Sequence, residues 1–433
     1  MNVEKVTAVL FGALVFLSMS ATQEYALTGQ STFQPAYNLS NDNYNAKDPN
    51  VQNSGSNVYV SWTEESHGIY FRASPNNGTT WNPPLTSAAL RISNIGGTTQ
   101  YPLMTDSGSY VYIVWSQTTG SETPLQLYFA VSSNYGNSFS KPVVLDTSSS
   151  IGSGAITPVI AASGSDVYVA WLASGVGNYV ISSRNHGSTW GSPVGLTSIR
   201  EPQLAASGSD AYEVGVGSLY VSRNNGATWT NEQITAASEP WVAAYGSNVI
   251  AAWETKNTTS QVYIVTSTNS GKTWTKATLL SSTVPNSWAP MVNVTGNVEY
   301  VAWRSNPGSS SSQEYVSAST NAGVSWSTPV AIGITGRDNA WPFTVTASLN
   351  NAFIMWSEKV NTIASSDDWQ TLVSYSNNNG STWTLLPTLT TSKASAAAPE
   401  NDVATGAISA FSSTGFAVWQ NNATSSQIYF SSS

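Results

Sequence analysis

Ser74-Pro75-Asn76-Asn77-Gly78-Thr79-Thr80-Trp81 is a phrase whose pattern returns six more times along the chain. The pattern is Ser-x-Asn-x-Gly-x-(Thr/Ser)-aromatic. Its other copies run from Ser132 to Phe139, Ser183 to Trp190, Ser222 to Trp229, Ser267 to Trp274, Ser319 to Trp326 and Ser376 to Trp383. Self-similarity at roughly 40–60 residues marks an array of supersecondary units such as propeller blades. Each copy reads as a tight turn between two strands. Its Asn accepts a left-handed backbone and hydrogen-bonds its own chain two residues on, and Gly supplies positive φ without steric cost. The hydroxyl residues satisfy nearby backbone groups, and the closing aromatic packs beside the next sheet.

The sequence around each turn fills out a four-stranded unit. A residue-Pro pair opens it, as in Asp48-Pro49, Glu239-Pro240 or Ala289-Pro290. A short apolar segment and a Gly/Ser/Asn turn follow, then a β-branched and aromatic run ending in Trp, such as Val167-Tyr168-Val169-Ala170-Trp171. A variable loop leads to a third strand, the repeated turn and a fourth strand. Trp stands at the second-strand position at 62, 115, 171, 253, 303, 356 and 419, and the unit from Arg200 to Thr235 has Val214-Gly215-Val216 instead. The last unit stops after its third strand, Gln427 to Phe430, and Phe33 to Leu39 is expected to supply the missing fourth. That closure leaves no open ring edge. The expectation is an all-β propeller of eight four-stranded antiparallel blades.

The repeated phrase resembles the Asp-box, or bacterial neuraminidase repeat, of sialidase-like β-propellers. The resemblance spans nearly the whole chain after its first residues. It departs from the family in one respect, because the usual Asp is Asn at 76, 134, 185, 224, 269, 321 and 378. Asn keeps the accepting oxygen and drops the charge, so the turn should survive. In that family the box is structural. The structural set here is therefore Asn76, Gly78, Trp81; Asn185, Gly187, Trp190; Asn224, Gly226, Trp229; Asn269, Gly271, Trp274; Asn321, Gly323, Trp326; and Asn378, Gly380, Trp383, with the box Trp residues read as core. Sialidases of the family have six blades, so a shared turn does not imply a shared ring size.

Charged residues make up 9% of the chain, well below the usual quarter. The 15 basic and 24 acidic residues give a net charge of −9, which disfavours nucleic acid and anionic membranes as partners. Cysteine is absent, which excludes disulfides, a thiol nucleophile and zinc-thiolate sites. Lys5 precedes an apolar run from Val6 to Met19, with small residues Ser18, Ser20 and Ala21 behind it. Residues 1–25 thus read as a signal peptide, with an uncleaved membrane anchor as the alternative, and 26–433 as the propeller. The implied location is secreted or at the cell surface. Six Asn-x-Ser/Thr sequons, at Asn38, Asn77, Asn257, Asn293, Asn379 and Asn422, fit a glycosylated exterior.

Strand direction assigns the faces of such a ring. The repeated turns join third to fourth strands on one face. First strands begin, and second strands end, on the opposite face, with the first strands nearest the axis. Charged residues at those junctions are Asp48, Glu64, Glu65, Arg200, Glu201, Glu239, Glu254, Lys256, Arg304, Arg337, Asp338, Glu358, Lys359, Glu400 and Asp402. Trp241, Trp288 and Trp341 stand beside them. Carboxylates, a few arginines and flat aromatic faces converging on a funnel make a default ligand site, against the plainer reading of a solvated rim.

The resemblance implies what an enzyme would need here: three arginines on a carboxylate, a Tyr–Glu nucleophile pair and an acidic proton donor. Arg200, Arg304 and Arg337 are the arginines on the funnel face. The family's Arg-Ile-Pro at the first strand is missing, since Arg72 falls on a third strand and Arg91-Ile92-Ser93 follows a fourth. His67 and His186 are the only histidines, which disfavours Ser-His-Asp chemistry and multi-histidine metal sites. No cofactor is implied, and the channel leaves room for a calcium ion held by carboxylates and carbonyls. The expectation is a non-catalytic propeller that binds glycan or a surface protein through the funnel. The alternatives are a sialidase-like exo-glycoside hydrolase and a structural component of a cell envelope or filament.

Overall fold

A computed structural model of the chain describes residues 32–93, 98–118, 125–145, 155–173, 177–196, 202–234, 238–256, 258–306, 312–334, 338–359, 369–389, 406–421 and 426–433. The leader-like residues 1–25 lie outside these. The described residues form eight four-stranded antiparallel sheets in a ring, a β-propeller. Blade 1 is Ala46–Ser54, Asn57–Glu64, Gly68–Ser74 and Leu90–Arg91. Six more blades repeat that order. Blade 8 takes Gly406–Phe411, Thr414–Asn421 and Gln427–Ser432 from the C-terminus and Tyr37–Asn38 from the N-terminus. Arg91, read from sequence as following a fourth strand, is part of it.

Ring closure is held by more than the two-residue strand. Tyr37 pairs with Phe430 and Asn38 with Tyr429, while the Gln34 and Leu39 amides donate to the Ser432 and Ile428 carbonyls. Gln427 Oε1 accepts from Asn38 Nδ2 at 3.1 Å and Ser40 Oγ at 2.9 Å, and its Nε2 donates to the Tyr44 carbonyl at 2.7 Å. Arg72, fully buried on the third strand of blade 1, donates to the carbonyls of Leu39, Pro83, Pro84 and Ser87. A guanidinium spreads five donors in a rigid fork, which suits it to pinning several backbone segments together.

The second-strand Trp residues are the pillars of the blades, all of them buried. Six stand opposite a third-strand Tyr and stack on it at interplanar angles of 16–25°: Trp62 on Tyr70, Trp115 on Tyr128, Trp171 on Tyr179, Trp253 on Tyr263, Trp303 on Tyr315 and Trp419 on Tyr429. Cross-strand aromatic pairs of this kind stabilise a sheet beyond their buried area.

All seven repeated turns have one geometry. In the first, Asn76 Oδ1 accepts from Ser74 Oγ and from the Thr80 amide, Asn76 Nδ2 donates to Thr80 Oγ1, and Ser74 Oγ accepts from the Gly78 amide. The left-handed backbone does not fall on that Asn, as the sequence reading had it. It falls on the next residue, with φ from 53° to 58° at Asn77, Tyr135, His186, Asn225, Ser270, Ala322 and Asn379. The Asn side chain is thereby left to fasten the turn. The glycine after it serves two purposes, shown at Gly226: its φ is +78°, and a Cβ there would lie 2.5 Å from Ser182 of the preceding blade. The aromatics that close the turns also pack backwards, edge-on to a ring of the preceding blade: Trp81 on Phe430, Trp190 on Phe129, Trp229 on Tyr168 and Trp383 on Tyr300. Trp81 is buried, whereas Trp190, Trp229, Trp274, Trp326 and Trp383 are half-buried. They cap the gap between blades rather than fill the core.

Candidate functional site

The two faces separate as strand direction requires. The left-handed residue of each repeated turn donates its amide to the first-to-second-strand turn of its own blade, as Asn77 does to the Ser56 carbonyl at 2.8 Å. The starts of the first strands therefore lie on the other face.

There the first strands are bulged. In blade 1 the register slips between Lys47 and Asn50, in blade 5 between Ser238 and Trp241, and in blade 6 between Trp288 and Met291. The extra residue precedes proline and has positive φ: Asp48 at +53°, Glu239 at +47° and Ala289 at +51°. A Cβ-bearing residue is strained in that region, and pre-proline geometry resists it further. Bulges re-aim side chains, and here the device repeats around the axis. It surrounds an axial cavity of ≈ 780 Å³ lined by Pro49, Pro102, Pro158 and Pro202, aliphatic side chains, Asp48 and Trp241. The lining is more apolar than a funnel of carboxylates, and among the described residues Asp48 is its one charged side chain.

The acids expected on the rim divide into two groups. Glu64, Glu254 and Glu358 are buried. Glu64 accepts from the Trp62 indole at 3.0 Å and hydrogen-bonds Asp42 at the ring seam; burial, then Asp42, pushes its carboxyl well above the usual range. Gln117 receives the Trp115 indole in the same way at 2.9 Å. Residues i and i+2 on a strand share a face, so at Trp62 and Trp115 the polar group two positions on serves the indole rather than a ligand.

Glu239 is only half-buried and faces Glu254. Burial first and Glu254 second push the Glu239 carboxyl upward, while Lys256 and the Ala289 amide pull it back. Glu254 also accepts from Ser260 Oγ at 2.6 Å. In blade 6, beside this pair, the Arg304 guanidinium lies 5.5 Å from the Trp288 ring centre, and its Nε and Nη2 reach Ser312 Oγ at 2.9 and 2.6 Å. Glu239, Glu254, Trp288 and Arg304 thus gather at the junction of blades 5 and 6.

The remaining candidates are not brought into view. Arg200, Glu201, Arg337 and Asp402 lie outside the described residues, and Asp338 and Trp341 are placed by backbone alone on the first strand of blade 7. Among the described residues no three His, Asp or Glu side chains come together to hold a cation. Three acids that the junction argument missed are also buried: Glu213, Glu299 and Glu314. Their signal is an acid inside an apolar run, as in Tyr212-Glu213-Val214 and Val298-Glu299-Tyr300.

No protein-family model and no curated protein sequence matches the chain. In three dimensions it resembles an ulvan lyase, a polysaccharide lyase, at 12% identity with a TM-score of 0.51, covering 93% of this chain and 95% of that one. It also resembles a trans-sialidase-active mutant of Trypanosoma rangeli sialidase, at 10% identity and TM-score 0.45, covering 93% of this chain. This chain spans 60% of the length of that sialidase. A Hadza microbial sialidase aligns at 13% identity and TM-score 0.41, over 88% of this chain and 74% of that one. The likeness shows a shared propeller fold. The number of blades, eight, comes from this chain's own sheets.

Proposed function

We propose that the chain is a secreted or surface-displayed propeller that binds a glycan on the face opposite its repeated turns, at the junction of blades 5 and 6. The observation that carries the proposal is the company that junction keeps. A half-buried Trp288 with a cation against it, a carboxyl pair and a strained backbone lie together in one sector. Sugar rings present apolar faces and a belt of hydroxyls, which aromatic planes and fixed carboxyl groups satisfy together.

The test is a glycan array on the full chain, followed by titration of the best ligand against Glu239→Ala and Trp288→Ala, with a fluorogenic sialoside assay alongside. Saturable binding that both variants weaken, without turnover, is the expected result. Turnover abolished by Arg304→Ala would transfer the site to the exo-glycosidase reading.

A further inference from the structure

We infer that this propeller is built to fold and persist in an acidic medium, its blades closed by carboxyl groups that keep their protons. The inference goes beyond glycan binding and does not depend on it. It starts from where three glutamates sit. Glu299 pairs across to Ser319, the first residue of its repeated turn. The same seat is Val58 in blade 1, Val111 in blade 2, Val167 in blade 3 and Val249 in blade 5. Glu213 takes the seat filled by Val60, Ile113 and Val169 in other blades. Glu314 takes the seat of Ile69, Leu127 and Val262.

All three are at most 1% exposed. Both carboxyl oxygens of Glu299 and of Glu314 have no hydrogen-bond partner, and one oxygen of Glu213 has none. No charged group faces Glu213 or Glu299 among the described residues; Asn178 of blade 3 donates to Glu213. Glu314 faces Arg304 and Glu358. An ionised carboxylate in an aliphatic seat without a cation costs far more than a neutral acid of similar volume. The seats of Glu213 and Glu299 suit the un-ionised form, and burial outweighs Arg304 at Glu314.

The repeated turns give an independent observation. In all seven, the side-chain amide of the Asn donates to the hydroxyl four residues on, at 2.8–3.0 Å. The same Asn Oδ1 accepts the amide of that residue, as at Thr80 and Thr228. A protonated Asp would reproduce this donor and acceptor, whereas an ionised one would have to accept from the hydroxyl instead, so its contacts would change with pH. Asn holds them at any pH. A low charge content and a single ion pair among the described residues, Arg223 to Glu232, leave little for acid to break.

The sign follows from the direction of the carboxyl shifts. Burial pushes Glu213, Glu299 and Glu314 up to about 8, against about 4.3 in an unfolded chain. Below the unfolded value both states are protonated, and the stabilisation is fully present. It is lost as pH rises through the folded value, because the unfolded chain then releases protons that the folded one must keep.

Thermal unfolding of the full chain from about pH 3 to about pH 9 tests this. The midpoint should be highest in acid, stay level down to about pH 3 and fall by many degrees toward pH 9. Glu299→Val, with Glu299→Gln as the volume-matched variant, should raise the midpoint at the alkaline end and leave the acid end nearly unchanged. A wild-type midpoint that peaks near neutrality and drops in acid overturns the inference. So does a Glu299→Gln variant that is equally destabilised at both ends.

Discussion

The two faces of the ring obey different rules. On one, seven turns repeat the same set of hydrogen bonds, and the left-handed position changes freely within them: Asn77, Tyr135, His186, Asn225, Ser270, Ala322 and Asn379. Each turn reaches sideways, its glycine against the preceding blade and its amide on its own first-to-second-strand turn. On the other face, three of the first-strand bulges present an aspartate, a glutamate and an alanine from the same strained backbone. What repeats marks where each blade must meet its neighbour. What varies on a fixed frame marks where the chain is free to acquire a ligand.

The contrast breaks most readily from the structural side. Trp171→Ala removes a fully buried side chain and its stack on Tyr179, and should cost about 3–5 kcal/mol by denaturant unfolding. Gly226→Val combines positive φ with a Cβ driven onto Ser182, and should cost on the order of 3 kcal/mol. That exceeds what turn strain alone would give, because the glycine is also an inter-blade contact. Trp229→Ala should cost less, about 2 kcal/mol, since its ring is half-exposed and meets Tyr168 edge-on at 6.5 Å. In each variant, the fraction that still folds should bind ligand normally in calorimetric titration. Glu239→Ala sharpens the comparison from the other side. It should change stability by less than about 1 kcal/mol, because the removed carboxyl is half-buried and already disfavoured by burial and by Glu254, yet weaken binding about tenfold.

Much of this architecture was legible in the chain. Asn-x-Gly turns and Trp-ended β-branched runs gave the blade number, and the missing fourth strand after Phe430 pointed to closure by Phe33 to Leu39, of which Tyr37 and Asn38 form the strand. The face assignment followed from strand direction alone. The site was less legible, because burial depends on partners far apart in sequence. Glu64 reads as a rim acid until Asp42 and the Trp62 indole are seen beside it. The Trp62–Glu64 and Trp115–Gln117 spacings do carry the clue, since alternate strand residues share a face. Bulges before proline leave no comparable trace: Asp48-Pro49 and Glu239-Pro240 look like strand starts. Glu213, Glu299 and Glu314 break an apolar pattern, and they stood out only once the register put them in valine, isoleucine and leucine seats.

The central claim is that ligand recognition lives on the face opposite the repeated turns. Hydrogen exchange on the full chain, with and without the best glycan from the array, tests it most directly. The account predicts slowed exchange at 238–241, 254–256, 287–289 and 303–305, and none at the turns 222–229 and 267–274. Protection confined to those turns, with the blade 5 and 6 junction unchanged, would contradict it.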